Sequence, residues 1–288
     1  MRSPYLLFAL LVPISAHADD APKGVGTGVD AASKGETSAV KEGFATQEKK
    51  EDPDKNTITD VSVQLGALLA AGNSRSMAIT SGVKTKVRRD AHQFSGGAAL
   101  NYAQAGKPGE ATTTSVENLQ GMLRYDFYFT ERFGAFLKVA AIHDRFQGLD
   151  VRFNLDPGVS YAVINEKNLR FWGELGYDFL FDVRRDDALL QKNGTKLDKT
   201  ASNHGLRAFI GWDHKLNESV ALLAGLEYLQ AFTDTNAWRL NADASVKANL
   251  SKKFALATSV QVRFDNAPLP GKENTDLLTS VSLVYSMF

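Results

Sequence analysis

From residue 60 to the end of the 288-residue chain, apolar and polar side chains alternate, and no apolar run approaches the roughly 20 residues a helix needs to cross a bilayer. That pattern restricts the chain to strands with two unlike faces. Residues 169–182 show it most plainly. Leu169, Phe171, Leu175, Tyr177, Phe179 and Phe181 share one face, with Arg170, Glu174, Asp178 and Asp182 on the other. Residues 236–250 repeat it, with Trp238, Leu240, Ala242, Ala244 and Val246 opposite Arg239, Asn241, Asp243 and Lys247. About twelve such segments can be placed, near 60–71, 75–88, 92–104, 114–128, 132–144, 150–163, 168–183, 201–214, 218–232, 236–249, 253–265 and 275–287. Most exceed a typical globular strand and match the roughly 9–11 residues of a tilted membrane strand plus its ends.

The connections alternate in length. After even-numbered segments they are tight, as at Asp90-Ala91, Thr130-Glu131, Asn165-Glu166-Lys167, Leu216-Asn217 and Ser251-Lys252; after several odd-numbered ones they lengthen to 105–113, 184–200 and 266–274. Short periplasmic turns and longer external loops are the outer-membrane arrangement, and it places both termini in the periplasm. Given that orientation, Phe127, Phe133, Tyr161, Phe171, Trp212, Phe254 and Tyr285 fall on apolar faces near periplasmic strand ends. Tyr102, Phe153, Phe179, Phe181, Tyr228, Trp238 and Phe264 fall near external ends. Two girdles of rings are expected where amphipathic side chains meet headgroups. The expected fold is therefore all-β: a closed, transmembrane, antiparallel up-and-down β-barrel of about twelve strands. The first three segments have Ala- and Gly-rich apolar faces (Ala67, Gly96, Ala98), which leaves ten as the alternative count.

The amino-terminal part has a different composition. Arg2, the apolar stretch Leu6 to Ile14 and the small-residue site Ala16-His17-Ala18 make residues 1–18 a secretory signal peptide, too short to be a membrane anchor. Residues 19–58 are rich in Asp, Glu, Lys, Gly and Ala with Phe44 as the only aromatic, so they cannot offset their ordering entropy and form a disordered periplasmic arm. The barrel is expected over 59–288. With 33 basic against 33 acidic residues, the chain lacks the basic excess of a nucleic-acid binder. With no cysteine it has no disulfide, thiolate metal site or Cys nucleophile. No phosphate cradle, Cys/His cluster or EF-hand spacing occurs, so neither metal nor cofactor is expected.

Four groups of residues carry a resemblance. They are Gly72-Asn73-Ser74, then Tyr125-Asp126-Phe127-Tyr128-Phe129-Thr130-Glu131-Arg132, then Asp144-Arg145-Phe146-Gln147-Gly148-Leu149-Asp150-Val151-Arg152, and finally Arg263-Phe264-Asp265-Asn266 with Pro268-Leu269-Pro270-Gly271-Lys272 and Thr275-Asp276. In these the chain resembles domain-of-unknown-function family 481 (DUF481), labelled as salt-induced outer membrane proteins, over most of 60–288. The resemblance implies an outer-membrane barrel of a Gram-negative bacterium, but no substrate and no catalytic residue. Family members tend to close with an aromatic, one spacer and a terminal Phe. Here the end is Tyr285-Ser286-Met287-Phe288, one spacer more. Tyr285 and Phe288 are the residues the barrel-assembly machinery is expected to read, with periplasmic chaperones as partners during biogenesis.

Function has to be sought on the polar face. Alternation points Arg124, Arg152, Arg170, Arg207, Arg239 and Arg263 inward, with Lys84, Lys86, Lys138 and Lys247. It does the same for Asp126, Asp156, Glu174, Asp178, Glu227 and Asp243, with Asp182, Asp265 and Asp276. Lining a water-filled lumen, these charges would make a narrow passive channel for ions or small polar solutes. Paired across strands, they would fill the interior and leave an occluded barrel with a structural or salt- and envelope-stress role. A lipid hydrolase is the third reading. Barrels of that kind use a His-x-Ser pair on one strand, and none of His92, His143, His204 and His214 is followed by Ser two residues on. Ser202-Asn203-His204 holds the residue types, but on alternating faces. No enzymatic activity is expected. In the external loop, Arg184, Arg185, Lys192 and Lys196 are candidates for contact with lipopolysaccharide phosphates, beside the surrounding outer-membrane lipid.

Overall fold

The computed structural model describes residues 57–70, 75–106, 111–145, 148–166, 168–190, 196–251, 253–268 and 274–286. The signal segment, the arm up to residue 56 and Phe288 lie outside them. Twelve strands follow one another: β1 (Thr57–Ala70), β2 (Arg75–Arg89), β3 (His92–Gly106), β4 (Thr113–Tyr128), β5 (Phe133–Asp144) and β6 (Leu149–Asn165) form the first half. The second half is β7 (Leu169–Arg184), β8 (Thr200–Lys215), β9 (Val220–Ala231), β10 (Trp238–Asn249), β11 (Phe254–Asp265) and β12 (Thr275–Ser286). Each pairs antiparallel with its neighbours in sequence, and β12 returns to β1 to close the barrel. The count is twelve, not ten. β1 also takes in Thr57 and Ile58, which composition alone assigns to the arm.

The tight turns have a local chemical cause. Thr130 Oγ1 accepts from the backbone N–H groups of Arg132 and Phe133, at 3.2 and 3.0 Å. Asn217 Oδ1 does the same for Ser219 and Val220, and Ser251 Oγ for Lys253 and Phe254. A short polar side chain thus substitutes for a ladder partner where the chain reverses. In the turn after β2, Asp90 adopts φ 50°, a left-handed conformation that aspartate tolerates in hairpins.

The outward face is the apolar one. Leu123 is 69% exposed, Leu65 59% and Leu175 54%, a surface that lipid rather than water would cover. Rings cluster at its two margins. At the end bearing the short turns, Phe254 packs 5.0 Å from Tyr285, and Phe127 and Phe133 flank Phe129. At the end bearing the long loops, Trp238 stacks on Phe264 at 4.9 Å and lies beside Tyr228.

Two features set the barrel's internal geometry. The first is a close approach of β6 and β7. Their ladder skips from Leu155↔Phe179 to Gly158↔Gly176 beside Pro157, which has no N–H to give. A Cβ added at Gly176 would stand 2.6 Å from the Pro157 carbonyl oxygen. The second is the seam. β1 and β12 share four register pairs, Ser62↔Ser286 to Leu65↔Leu283, while every other neighbouring pair shares at least eleven. Because backbone and not a flexible side chain blocks the space at Gly176, Gly176→Ala should destabilise the barrel by about 1–3 kcal/mol, the usual range for overpacking. Urea unfolding in bilayers checks this, and an unchanged midpoint would contradict it.

A buried ion network across the barrel interior

At mid-height the interior is spanned by side chains from seven consecutive strands. On β4, Arg124 and Asp126 share the inward face, and Arg124 Nε and Nη2 donate to Asp126 Oδ1 at 2.9 and 2.8 Å. Arg124 Nη1 reaches three strands along to Glu174 Oε2 on β7, at 3.1 Å. That same oxygen accepts from Arg207 Nη1 on β8 at 2.8 Å, and Arg207 Nε donates to Glu227 Oε1 on β9 at 2.7 Å. Glu227 Oε2 accepts from Asn241 Nδ2 on β10 at 2.9 Å. Lys138 on β5 joins from the side, 2.6 Å from Asp156 Oδ2 on β6 and 3.7 Å from Glu227.

Charge alternates along this chain: acid, base, acid, base, acid. The side chains of Arg124, Glu174 and Arg207 have no accessible surface at all. Charges taken that far from water persist only with partners on every side. Aromatic faces supply the remaining contacts. The Arg124 guanidinium lies 4.0 Å over the Phe136 ring, and Arg207 lies 5.5 Å from the Phe209 ring. Trp172 packs on Phe209 beneath them.

Two smaller clusters sit above and below. Toward the long loops, Arg152 grips Asp182 through two 2.7 Å bonds, while Asp178 accepts from Asn154 at 3.0 Å and Arg239 at 3.5 Å. Toward the short turns, Arg170 on β7 contacts Asp213 on β8. The structure thus brings Arg124, Asp126, Glu174, Arg207 and Glu227 together, with Asp156 attached through Lys138. It puts Arg152, Asp178 and Arg239 at a second level and Arg170 at a third. Asp243 and Arg263 stand inward on β10 and β11, with Arg263 in register with Asn241 and Asp276. Tyr285 faces out against Phe254.

Sequence reasoning missed the inward rings Tyr128, Phe136, Trp172 and Phe209, and also Asp213. Alternation holds their signal: each has the same parity as a neighbouring inward charge, as Trp172 has with Arg170 and Glu174. Ser202 and His204 do not lie on alternating faces: two apart on β8, they share the outward face, in register with Phe181 and Phe179. The group bonded to His204 Nδ1 is nevertheless the Tyr177 hydroxyl on β7 and not Ser202.

At the loop end, the segment after β7 is tied down by its own charges. Arg185 N donates to the Gly148 carbonyl at 2.8 Å; Gly148 has φ 74°, and a Cβ there would stand 2.6 Å from Ala188 Cβ. Arg185 Nε donates to Asp187, Lys199 Nζ donates to Asp186 and Asp150, and Arg184 Nη1 donates to the Asp198 carbonyl. The hydrogen bond from Arg185 holds the Asp187 carboxyl below its usual range, and bonds to Asp186 and Asp150 hold the Lys199 ammonium above its own. Lys192 lies outside the described residues.

A family model described as "Protein of unknown function, DUF481" matches residues 63–287. Among solved structures, the COG4313 outer membrane channel from Pseudomonas putida F1 is 12% identical with a TM-score of 0.45, covering 83% of this chain and 100% of its own. The KdgM porin in complex with disordered oligogalacturonate is 9% identical with a TM-score of 0.44, covering 80% and 100%. The NanC porin is 10% identical with a TM-score of 0.43, covering 80% and 98%. No curated protein is significantly similar to the chain.

Two outcomes follow from these contacts. Glu174→Ala leaves two buried guanidinium groups without their shared acceptor and should cost about 3–5 kcal/mol in bilayer unfolding. Arg239→Ala, at the partly exposed edge of its cluster, should cost under about 1 kcal/mol; equal losses would contradict the distinction. For the loop, a carboxyl held below its free value stabilises above that value and loses its contribution as pH falls through the folded-state value. An ammonium held above its free value contributes below that value and is lost as pH rises through the folded-state value. Amide exchange at residues 185–190 and 196–199, corrected for intrinsic rates, should therefore be slow across neutrality and lose protection only in acid below the ordinary aspartate range or in strong alkali. Loss between neutrality and that acid range would contradict the account.

Proposed function

The chain belongs to the DUF481 family, and from the contents of its barrel we propose that it is a narrow passive channel for ions or small polar solutes in the outer membrane of a Gram-negative bacterium. The observation that carries this reading is the polar interior, which continues from Arg170–Asp213 at the turn end, through the mid-height network, to Arg152–Asp182 at the loop end. A barrel with a polar inside and an apolar outside offers a hydrated path through lipid, and its narrowest level sets what can pass. Here that level is the Arg124–Glu174–Arg207–Glu227 chain. On this reading solute passes the opposite wall, where inward residues such as Ala78, Ala257, Ser259 and Ser282 are small, although all four are buried.

A second reading is favoured by one specific observation: Arg124, Glu174 and Arg207 have no accessible side-chain surface. A network that dry would seal the barrel and leave it a structural or salt- and envelope-stress role. In either case the chain would be exported through a cleaved signal peptide and inserted by the barrel-assembly machinery reading Tyr285 and Phe288. It would meet lipopolysaccharide at the loop end, where Arg185 and Lys199 are already engaged by Asp187, Asp186 and Asp150.

Single-channel recording in planar bilayers separates the two, on protein whose fold is verified by heat-modifiable gel mobility. The channel reading expects discrete small steps from the native chain, rising by about twofold or more in Arg124→Ala as the constriction widens. A silent native chain that conducts only after Arg124→Ala would establish the sealed reading instead. Silence from both would overturn the channel.

A further inference from the structure

One part of the outer wall is concave. Across β6, β7, β8 and β9 a groove of about 460 Å³ opens outward, with the short residues Gly173 and Ala208 at its floor and Tyr161, Leu175, Ile210 and Tyr228 around it. The floor is low because Gly173 places no side chain between Tyr161 and Ile210, its register partners on β6 and β8. The wall itself does not demand glycine there. A Cβ added at Gly173 would meet only the Phe209 carbonyl oxygen, at 3.8 Å, which is an ordinary contact; at Gly176 the same atom would strike backbone at 2.6 Å. Glycine inside a strand weakens it, and where the local packing has room for a side chain its use is close approach by a ligand.

The surroundings select the occupant. The groove lies on the apolar face, so water gains nothing by entering it. A second barrel, convex like this one, would rest on the rim and leave the floor empty, forfeiting the dispersion contacts there. An acyl chain is thin enough to reach the floor, and from β6 to β9 the groove crosses three strand spacings, about 14 Å. Gly173 is the fifth of the sixteen residues of β7, counted from the turn end. Turnward of it, Trp212 and His214 stand outward on β8, in register with Phe171 and Leu169, their rings 5.7 Å apart. Amphipathic rings so placed sit among headgroups. In the orientation proposed above, that margin meets the periplasmic leaflet, whose lipid is phospholipid. We propose that the β6–β9 groove binds one phospholipid of that leaflet, its acyl chain over Gly173 and Ala208 and its headgroup beside Trp212 and His214. The site lies on the outer wall and does not depend on whether the interior conducts.

Full-length protein in dodecyl maltoside, its fold verified by heat-modifiable mobility, is titrated with dipalmitoylphosphatidylethanolamine and read by native mass spectrometry. The native chain should bind one copy in preference to further ones. Gly173→Val and Ala208→Phe each fill the groove and should weaken that binding on the order of tenfold, as excluding a few methylenes from contact would. Either variant that folds is sufficient. Gly121→Val is the control: Gly121 also faces outward, with its nearest obstacle the Gly97 carbonyl oxygen at 3.9 Å, and its replacement should leave binding at the native level. In vesicles, phosphatidylethanolamine spin-labelled near the end of its acyl chain should show an immobilised component that the filling variants remove and Gly121→Val keeps. No copy bound to the native chain, or binding that the filling variants leave unaltered, would overturn the site. Preference for lipid A would place the other leaflet's lipid there and overturn the phospholipid, and a barrel dimer that Gly173→Val dissociates would give the groove to a second copy instead.

Discussion

The structure depends first on backbone hydrogen bonding: an apolar-faced sheet has to satisfy its N–H and C=O groups within itself. A strand crossing hydrocarbon has to find its backbone partners in other strands, and only a closed sheet leaves none over. Twelve strands of at least twelve residues each, joined in strict antiparallel order, meet that demand around nearly the whole circumference. The outward face is then free to be apolar, and everything polar in the strands is driven inside. Side-chain charge arrives in the interior as a consequence of closure and has to be neutralised there.

The Arg124–Glu174–Arg207–Glu227 chain is the form that neutralisation takes. It links β4 to β7 through Arg124 and Glu174, 50 residues apart, and β7 to its neighbour β8 through Arg207 and Glu174, 33 apart. Such contacts tie neighbouring parts of one side of the wall together, and the rings of Phe136, Phe209 and Trp172 pack beside the charges. The same side chains that hold the barrel's cross-section therefore also narrow it, so stability and passage are set by one group of residues.

Much of the fold was legible because a strand's two faces have period two. The β7 run from Leu169 to Arg184 could be read residue by residue, and the short turns at Thr130, Asn217 and Ser251 stand where the alternation breaks. Inward direction was equally legible for Arg124, Glu174 and Arg207, since each shares parity with polar neighbours. Their partners were not. Whether Glu174 meets Arg124 or another base depends on register and on how a tilted strand is placed around a closed wall, and neither is written in local pattern. Reading apolar as outward also hid Phe136 and Phe209, which lie inside under the guanidinium groups of Arg124 and Arg207, and Trp172, which packs on Phe209. The geometry of Ser202 and His204 shows the same rule from the other side, since residues two apart on a strand cannot alternate faces.

The central claim is that the interior charges act as one coupled network and not as separate pairs. A double-mutant cycle on Arg124→Ala and Glu174→Ala, read from bilayer unfolding free energies, tests it most directly. The account predicts a coupling energy of about 1.5 kcal/mol or more, with Arg207→Ala coupled to both. Additivity within about 0.5 kcal/mol would contradict it.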